Sequence, residues 1–522
     1  MNRLPQEIID QVVSFLPGGP DAGWTPEKQP SRASYACISN KFRHAVECGS
    51  FRSLRINSGE LQDFVLKFPP RGRPFLRELF FSVELYQVDA ALAKRFERPA
   101  ETAAASKQFS LQIKELFSAI HKPDGIVGLR LYISNVTQTT ASAEDESGNG
   151  YGIDLGHYRD LRSRLTLLDP AALPHLDCVS HLTFSNWQRK PSPAVYLEIA
   201  ARLAGLEKLD LVLDSFEMRY PGRLRDDRKS LALALETRSE ETQTTSHAML
   251  DMSLDRGAII QTLPMPNLRY PLEYDVLSSS LRTWSQRLIS FSVRGVVDES
   301  LFWPHAQDNV AAAPPEWRRM EFFDVQLERH TPSGWWYFMP KGESRYGAPP
   351  RNPAEDLEDQ PPEFADEPQD GVDPFDQEAE DHWDMHRRTD GDEDHRIRNV
   401  PNEDTMQPLL EAWAKALARM PLLRRAKISF EVEIPNSETQ DEEDVNMEDW
   451  EIIYEAPDLR GAKWEKHLEA SERASRCLIF HNTCGWRPAQ RTMHLLQQVG
   501  LGSHPGTEMA ILTVNEWNRI LR

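Results

Sequence analysis

The sequence predicts a mixed α/β chain: a short helical N-terminal unit, then an irregular leucine-rich α/β solenoid-like body with long disordered inserts. Three observations predict it. An amphipathic helical pattern opens the chain at residues 4–16. Beyond residue 50 a short apolar motif recurs, each copy ending in strand-like alternation. The chain's acidity is confined to two polar stretches that interrupt this body.

Residues 4–16 read LPQEIIDQVVSFL. Pro5 stands where a first helical residue tolerates a fixed φ and a missing N–H. Ile8, Val12 and Leu16 recur every four residues, flanked by Ile9, Val13 and Phe15, which is the spacing of one helix face. Glu7 and Asp10 lie in the early turns, where the helix dipole favours acids. Pro17-Gly18-Gly19-Pro20 stops the helix. After a Pro-rich loop, residues 31–47 predict further helix, with Ala33, Ala36, Cys37, Phe42 and Val46 on the apolar side.

The recurring motif is apolar, two residues, apolar, one residue, apolar. Leu76, Leu79, Phe81 and Val83 fit it, as do Ile126, Leu129, Leu131 and Ile133. Val179, Leu182 and Phe184 fit it, and so do Leu206, Leu209, Leu211 and Leu213. Trp317, Met320 and Phe322 make another copy, and Leu423, Ala426, Ile428 and Phe430 the last; Ile289, Phe291 and Val293 are a looser member. Alternation at period two predicts half-buried strands. PAVYLEIAARLAGL and PLLEAWAKALARMPL carry helical stripes just before two of these strands. Helix, turn and short strand in repetition is the unit of a leucine-rich solenoid, whose period is ~20–29 residues. The steps here are irregular, so the expectation is a degenerate array. The residues between the buried ones face the other side of the sheet. Phe80, Tyr132, Thr183, Val212, Phe323 and Ser429 are therefore the candidate partner-binding positions.

Residues 351–404 hold 20 acidic and five basic residues, and residues 436–451 hold eight acidic and none basic. Together they carry −23 of a net −21, leaving the rest near neutral at +2. Residues 137–152, 226–246 and 342–404 have the polar composition of loops or disordered inserts, too poor in apolar surface to offset ordering entropy. The domain expectation is a helical unit at 1–48, the body at 49–341, an acidic Pro-rich insert at 342–404, and the rest of the body at 405–522 with an acidic loop at 436–451. No basic patch of the kind that displaces counterions from nucleic acid stands out. No run reaches the ~18–20 apolar residues of a membrane helix, and the acidic first ten residues do not read as a secretory signal. The expectation is an intracellular protein of cytoplasm or nucleus. Five scattered cysteines form no disulfide framework. Cys477, His481 and Cys484 lack a fourth zinc ligand at fitting spacing. No phosphate-cradling loop, nucleophile elbow or zincin helix is present. Neither a cofactor nor a metal nor a catalytic residue is expected. The run 335–338, Trp-Trp-Tyr-Phe, is expected to be a two-sided strand covering a sheet edge.

Leu4-Pro5-x-Glu7-Ile8-Ile9-x-x-Val12-Val13-Ser14-Phe15-Leu16 resembles the opening helix of the F-box, and residues 38–46, with Lys41-Phe42-Arg43, resemble its close. The resemblance covers residues 1 to about 48. The Phe51-Arg52-Ser53-Leu54 step and the Leu-rich strands resemble fungal F-box proteins more loosely. The loop at 17–30 is longer than the family's and departs from it. The resemblance implies a three-helix unit that docks onto a Skp-type adaptor and, through it, a cullin scaffold. It implies an adaptor surface drawn from Leu4, Pro5, Ile8, Ile9, Val12, Phe15, Leu16 and Phe42, some of which must instead form the unit's own core. The implied role is the non-catalytic, client-recruiting subunit of a ubiquitin ligase, with an unknown client protein held by the body. The alternative is an F-box scaffold or regulatory protein without client turnover.

Overall fold

A computed structural model describes residues 4–15, 32–88, 97–121, 125–139, 163–213, 221–238, 241–253, 265–308, 314–340, 398–435, 445–457 and 475–514. The predicted loop at 17–30, Leu16 and most of both acidic segments lie outside the described residues.

The N-terminal unit contains α1 (Gln6–Ser14), a 3₁₀ turn (Arg32–Cys37) and α2 (Asn40–Ser50). Pro5 is the residue just before α1, one position earlier than the sequence suggests. The single helix expected at 31–47 is broken at Ser39, whose hydroxyl accepts the Phe42 N–H and caps α2. Ile9, Val13, Phe42, Ala45 and Val46 form a small core of their own, flanked by Tyr35 and Ala36. Polar clasps join its ends: Lys41 Nζ donates to the Leu4 carbonyl (2.6 Å) and Gln6 to the Lys41 carbonyl (3.1 Å). The unit rests on the body through α2. Glu47 pairs with Arg71 (2.8 Å), His44 meets Phe75 edge-on at 5.0 Å, and Gly72 lies so close to Phe51 that a Cβ would stand 2.8 Å from its ring.

Among the described residues the body is one twelve-stranded sheet with a separate antiparallel pair of strands. Its first eight strands are β1 (Ser53–Asn57), β2 (Glu78–Val88), β3 (Leu129–Thr139), β4 (Val179–Trp187), β5 (Lys208–Val212), β6 (His247–Met252), β7 (Ser290–Gly295) and β8 (Phe322–Leu327), all parallel and side by side in chain order. The antiparallel pair follows: β9 (Phe338–Pro340) and β10 (Arg398–Pro401). Then β11 (Arg425–Pro435) joins β8 in parallel, β12 (Val445–Glu455) and β13 (Arg476–His481) continue antiparallel, and β14 (Met509–Val514) ends the sheet parallel to β13. The helices between strands are α3 (Leu61–Lys67), α4 (Pro99–His121), α5 (Pro193–Ala200), α6 (Pro221–Arg238), α7 (Val276–Ser285), α8 (Glu403–Leu417) and α9 (Gln490–Gln498). One continuous core joins strand residues such as Leu79, Leu131, Leu182, Leu209, Phe291 and Ile428 to helix residues such as Phe109, Leu197, Trp284 and Trp413. From β1 to β8 the opposite sheet face is largely open or half-buried, as the alternating burial of β7 and β8 shows, whereas at β12, β13 and β14 it carries a second buried apolar cluster of Ile453, Cys477, Ile479, Ala510, Leu512 and Val514.

The sheet is not a solenoid. Its strand starts advance by 25 residues from Ser53 to Glu78 and by 51 from Glu78 to Leu129, and β11 to β13 reverse direction. A repeat unit of fixed length cannot produce either feature. The stretch 226–246 is also corrected: its first part is α6, with Leu224, Leu231, Ala232, Ala234 and Leu235 buried. Small alanines and interspersed charge weaken its stripe in sequence. The Trp-Trp-Tyr-Phe run covers no sheet edge. Tyr337 and Phe338 lie in the main core, Phe338 edge-on to Phe430 (5.1 Å) and Trp450 (5.8 Å), and the Tyr337 hydroxyl donates to the Val297 carbonyl at 3.0 Å. Among the described residues no helix is long and apolar enough to cross a membrane.

Candidate docking surfaces

The small N-terminal core divides the predicted adaptor surface in two. Ile9 and Phe42 are buried in it and cannot contact a partner without unfolding it. Leu4, Ile8 and Val12 are each 44 % exposed, Phe15 is 80 % exposed, and Pro5 is exposed as well. At 100° per residue, Ile8, Val12 and Phe15 fall within an arc of about 60°, on a side of α1 turned away from Ile9 and Val13. Both sides of α1 are therefore apolar, and one of them is uncovered among the described residues. Leu16 lies outside the described residues. Sequence periodicity groups Ile8 with Ile9; only the position of α2 separates them.

The second surface is the open face of the sheet, built as rows of register partners. One row runs Arg55, Phe80, Tyr132, Thr183, Asp210, Met249, Ser292, Asp324 and Lys427. Three predicted client positions, Phe80, Tyr132 and Thr183, come together here. Phe80 and Tyr132 stack at 4.3 Å and 9°, and the Arg55 guanidinium sits 4.9 Å from the Phe80 ring centre. His181 Nε2 is 2.8 Å from the Asp210 carboxylate and 3.2 Å from the Thr183 hydroxyl, and Lys208 pairs with the same carboxylate at 3.0 Å. Burial alone raises the Asp210 carboxyl, but the hydrogen bonds from His181 and Lys208 outweigh it and hold it below its ordinary value. A catalytic relay needs the hydroxyl and the carboxylate on opposite ring nitrogens. Both share Nε2 here, so this cluster is a polar clasp rather than a triad. Beside it, Asn57, Ser82, Ser134 and Ser185 line a depression under the aromatic stack.

Two predicted positions are corrected. Phe323 is fully buried on the helix side, because β8 places Phe323, Val325 and Leu327 inward and Phe322, Asp324 and Gln326 outward. With two adjacent phenylalanines, a slip of one residue exchanges the faces. Ser429 does face the open side, but it is 1 % exposed between Gln326 of β8 and Glu451 of β12. Val212 ends β5, half-buried, at the edge of a cavity between strand ends and helices.

Toward β13 the open face carries a run of ion pairs beside the buried patch of Ile453, Cys477 and Ile479. Glu451 accepts from Lys427 (3.3 Å) and meets His481 Nδ1 at 3.1 Å. Burial pushes its carboxyl up, but these partners win and bring it down to about 2. Glu431 receives Arg294 (3.3 Å) and Gln326 (3.2 Å), and Arg329 pairs with Glu433 at 2.7 Å. Sequence reasoning missed Arg55, His181, Asp210 and Glu451. The signal was available for the first three, since each sits between or beside apolar motif positions. Among the described residues no cluster of histidine, cysteine and acidic side chains could hold a metal ion. In comparisons with known proteins, no family model matches the chain, and no curated protein matches it.

Proposed function

We propose that this chain is an F-box-type adaptor subunit: α1 and α2 dock onto a Skp-type adaptor that binds a cullin, and the open sheet face recruits a client protein for ubiquitin transfer on partner subunits. The observation that carries the reading is the outward stripe of Leu4, Ile8, Val12 and Phe15 on a unit that already has its own core. Internal packing does not require that stripe. An amphipathic helix laid in a partner's groove uses such aliphatic and aromatic anchors at helical spacing. The row Arg55–Phe80–Tyr132–Thr183, with His181 beside Tyr132, gives the body an aromatic and polar surface on the side away from its helices, with the character of a protein interface. The test is co-purification of the full-length chain with a Skp-type adaptor and cullin, against the double variant Ile8→Asp, Phe15→Asp. The reading requires the wild type to bring down both and the variant to lose both. A variant that stays folded and still binds sinks it, and an adaptor recovered without cullin makes the chain a scaffold outside the ligase.

A further inference from the structure

The twelve-stranded sheet ends in β1 on one side and β14 on the other, and the two edges differ. β1 is five residues long, with the exposed Arg55 at its centre. Shortness and charge are what keep an edge strand from pairing with another chain. β14, Met509–Val514, has six residues, none of them charged and none a proline. Its parallel register with β13 is unbroken by a bulge. It lacks each of the devices by which natural edges avoid pairing.

The bonds to β13 fix which backbone groups of β14 are already used. The Arg476 N–H donates to the Glu508 carbonyl (3.0 Å) and the Asn482 N–H to the Val514 carbonyl (2.8 Å). Every second residue of a strand turns its N–H and C=O to the same neighbour. Glu508, Ala510, Leu512 and Val514 therefore face β13, and Met509, Ile511 and Thr513 turn their N–H and C=O groups outward. Among the described residues no strand and no backbone hydrogen bond meets those outward groups. The side chains at this edge are apolar as well. Ile511 is 38 % exposed, and Ala510 and Leu512 belong to the apolar cluster on the opposite face. Charge stands only at the two ends. The exposed Glu508 precedes the strand. Arg487 lies at its far end, donating to the Thr513 hydroxyl with its guanidinium 3.8 Å from the Phe480 ring centre. Among the described residues neither has a partner of opposite charge.

We infer that β14 pairs edge to edge with β14 of a second copy of this chain, antiparallel about a two-fold axis through Ile511. This register sets Ile511 opposite its own counterpart and Met509 opposite Thr513, so every outward N–H and C=O finds a partner. Ala510 comes opposite Leu512, which carries the apolar cluster across the junction. The same axis brings Arg487 of each copy to the end of β14 at which the other has Glu508, so the charges are complementary at both ends. The contact is isologous and closes on itself, leaving only the blunted β1 edges free. It lies at the far edge of the sheet from the N-terminal unit and does not depend on the adaptor reading.

Sedimentation equilibrium of the full-length protein from about 1 to 100 µM tests it, a range suited to an interface of small area. The wild type should show a monomer–dimer equilibrium. Ile511→Lys sets like charges opposite each other at the axis and removes apolar contact, so it should weaken the dimer roughly tenfold or more. Ile511→Glu should do the same. An equimolar mixture of the two variants sets opposite charges at the axis and should dimerise close to wild type. Circular dichroism checks that each variant is folded. Thr513→Pro is the second variant should Ile511→Lys not fold, since it removes an outward N–H and leaves the bonds to β13 in place. A wild type that stays monomeric throughout, a dimer unchanged in a folded variant, or a mixture that stays monomeric would each overturn the assignment.

Discussion

Replacing Ile8 by aspartate should separate docking onto the proposed adaptor from folding of the N-terminal unit. Ile8 is 44 % exposed, so its solvent-facing half contributes little to the small core. An exposed substitution of this kind costs the free chain about 0.5 kcal/mol or less. In a complex, the same position would forfeit about 1 kcal/mol of apolar burial. It would also bury a carboxylate without a partner, which costs about 3–5 kcal/mol. The sum corresponds to a loss of roughly three to four decades in affinity. Isothermal titration calorimetry against a purified Skp-type adaptor measures it, with hydrogen exchange on α1 and α2 as the folding control. Ile9→Asp is the contrast: Ile9 is 1 % exposed, so it should strip exchange protection from both helices before binding is measured. Binding of Ile8→Asp within threefold of wild type, or unfolding of the helical unit by it as by Ile9→Asp, would rule out Ile8 as an outward anchor.

Phe42→Ala should remove about 3 kcal/mol from the N-terminal unit while leaving the body's unfolding transition in place, because Phe42 belongs to a core separate from the main one; limited proteolysis between α1 and α2 reads this. Phe323→Ala should cost the body about 3–5 kcal/mol in urea unfolding, whereas Tyr132→Ala, which loses a half-exposed stacked ring, should cost about 1 kcal/mol; equal costs would put the β8 register in error. Tyr132→Ala should nonetheless weaken recovery of any client captured by the wild type. Asp298 is fully buried, and burial together with the Glu299 and Asp275 charges raises its carboxyl to about 8. The folded state holds this proton between the ordinary carboxylate value and about 8, so its contribution is full below pH 4 and is lost as pH rises through 8. Asp298→Asn keeps an acceptor for the Ser300 N–H (3.0 Å), so its stability should fall less between pH 6 and pH 9 than that of the wild type.

Much of the body was legible because its signal is local. Leu79, Phe81, Leu131, Ile133, Leu182 and Phe184 announce their strands by alternation, and all are buried. The neighbours Phe80, Tyr132 and Thr183 follow from the same period. The reading failed where a choice depends on distant partners. Ile8 and Ile9 are equivalent in α1 until α2 lies against one of them. Phe322 and Phe323 are equivalent until β8 pairs with β7 and β11. The helix α6 was hidden because its inward side relies on alanines next to a dense run of arginine and aspartate. The antiparallel turn of β12 and β13 had no signature, since direction within a sheet leaves no trace in the alternation of a single strand. At the open face, the clasp of His181, Thr183, Asp210 and Lys208 draws on two strands whose residues stand 29 apart. Spacing in the sequence does not bring them together; the parallel pairing of β4 and β5 does.

The proposed adaptor role requires the helical N-terminal unit to be a docking module and not a packing element of the body. The most direct test is co-purification of a Skp-type adaptor and cullin with the full-length chain and with a chain lacking residues 1–48. The full-length chain is expected to bring down both partners and the truncated chain neither, while the body's unfolding transition stays close to that of the full-length protein. Failure of the full-length chain to bring down the adaptor, or loss of the body's fold on truncation, would contradict it.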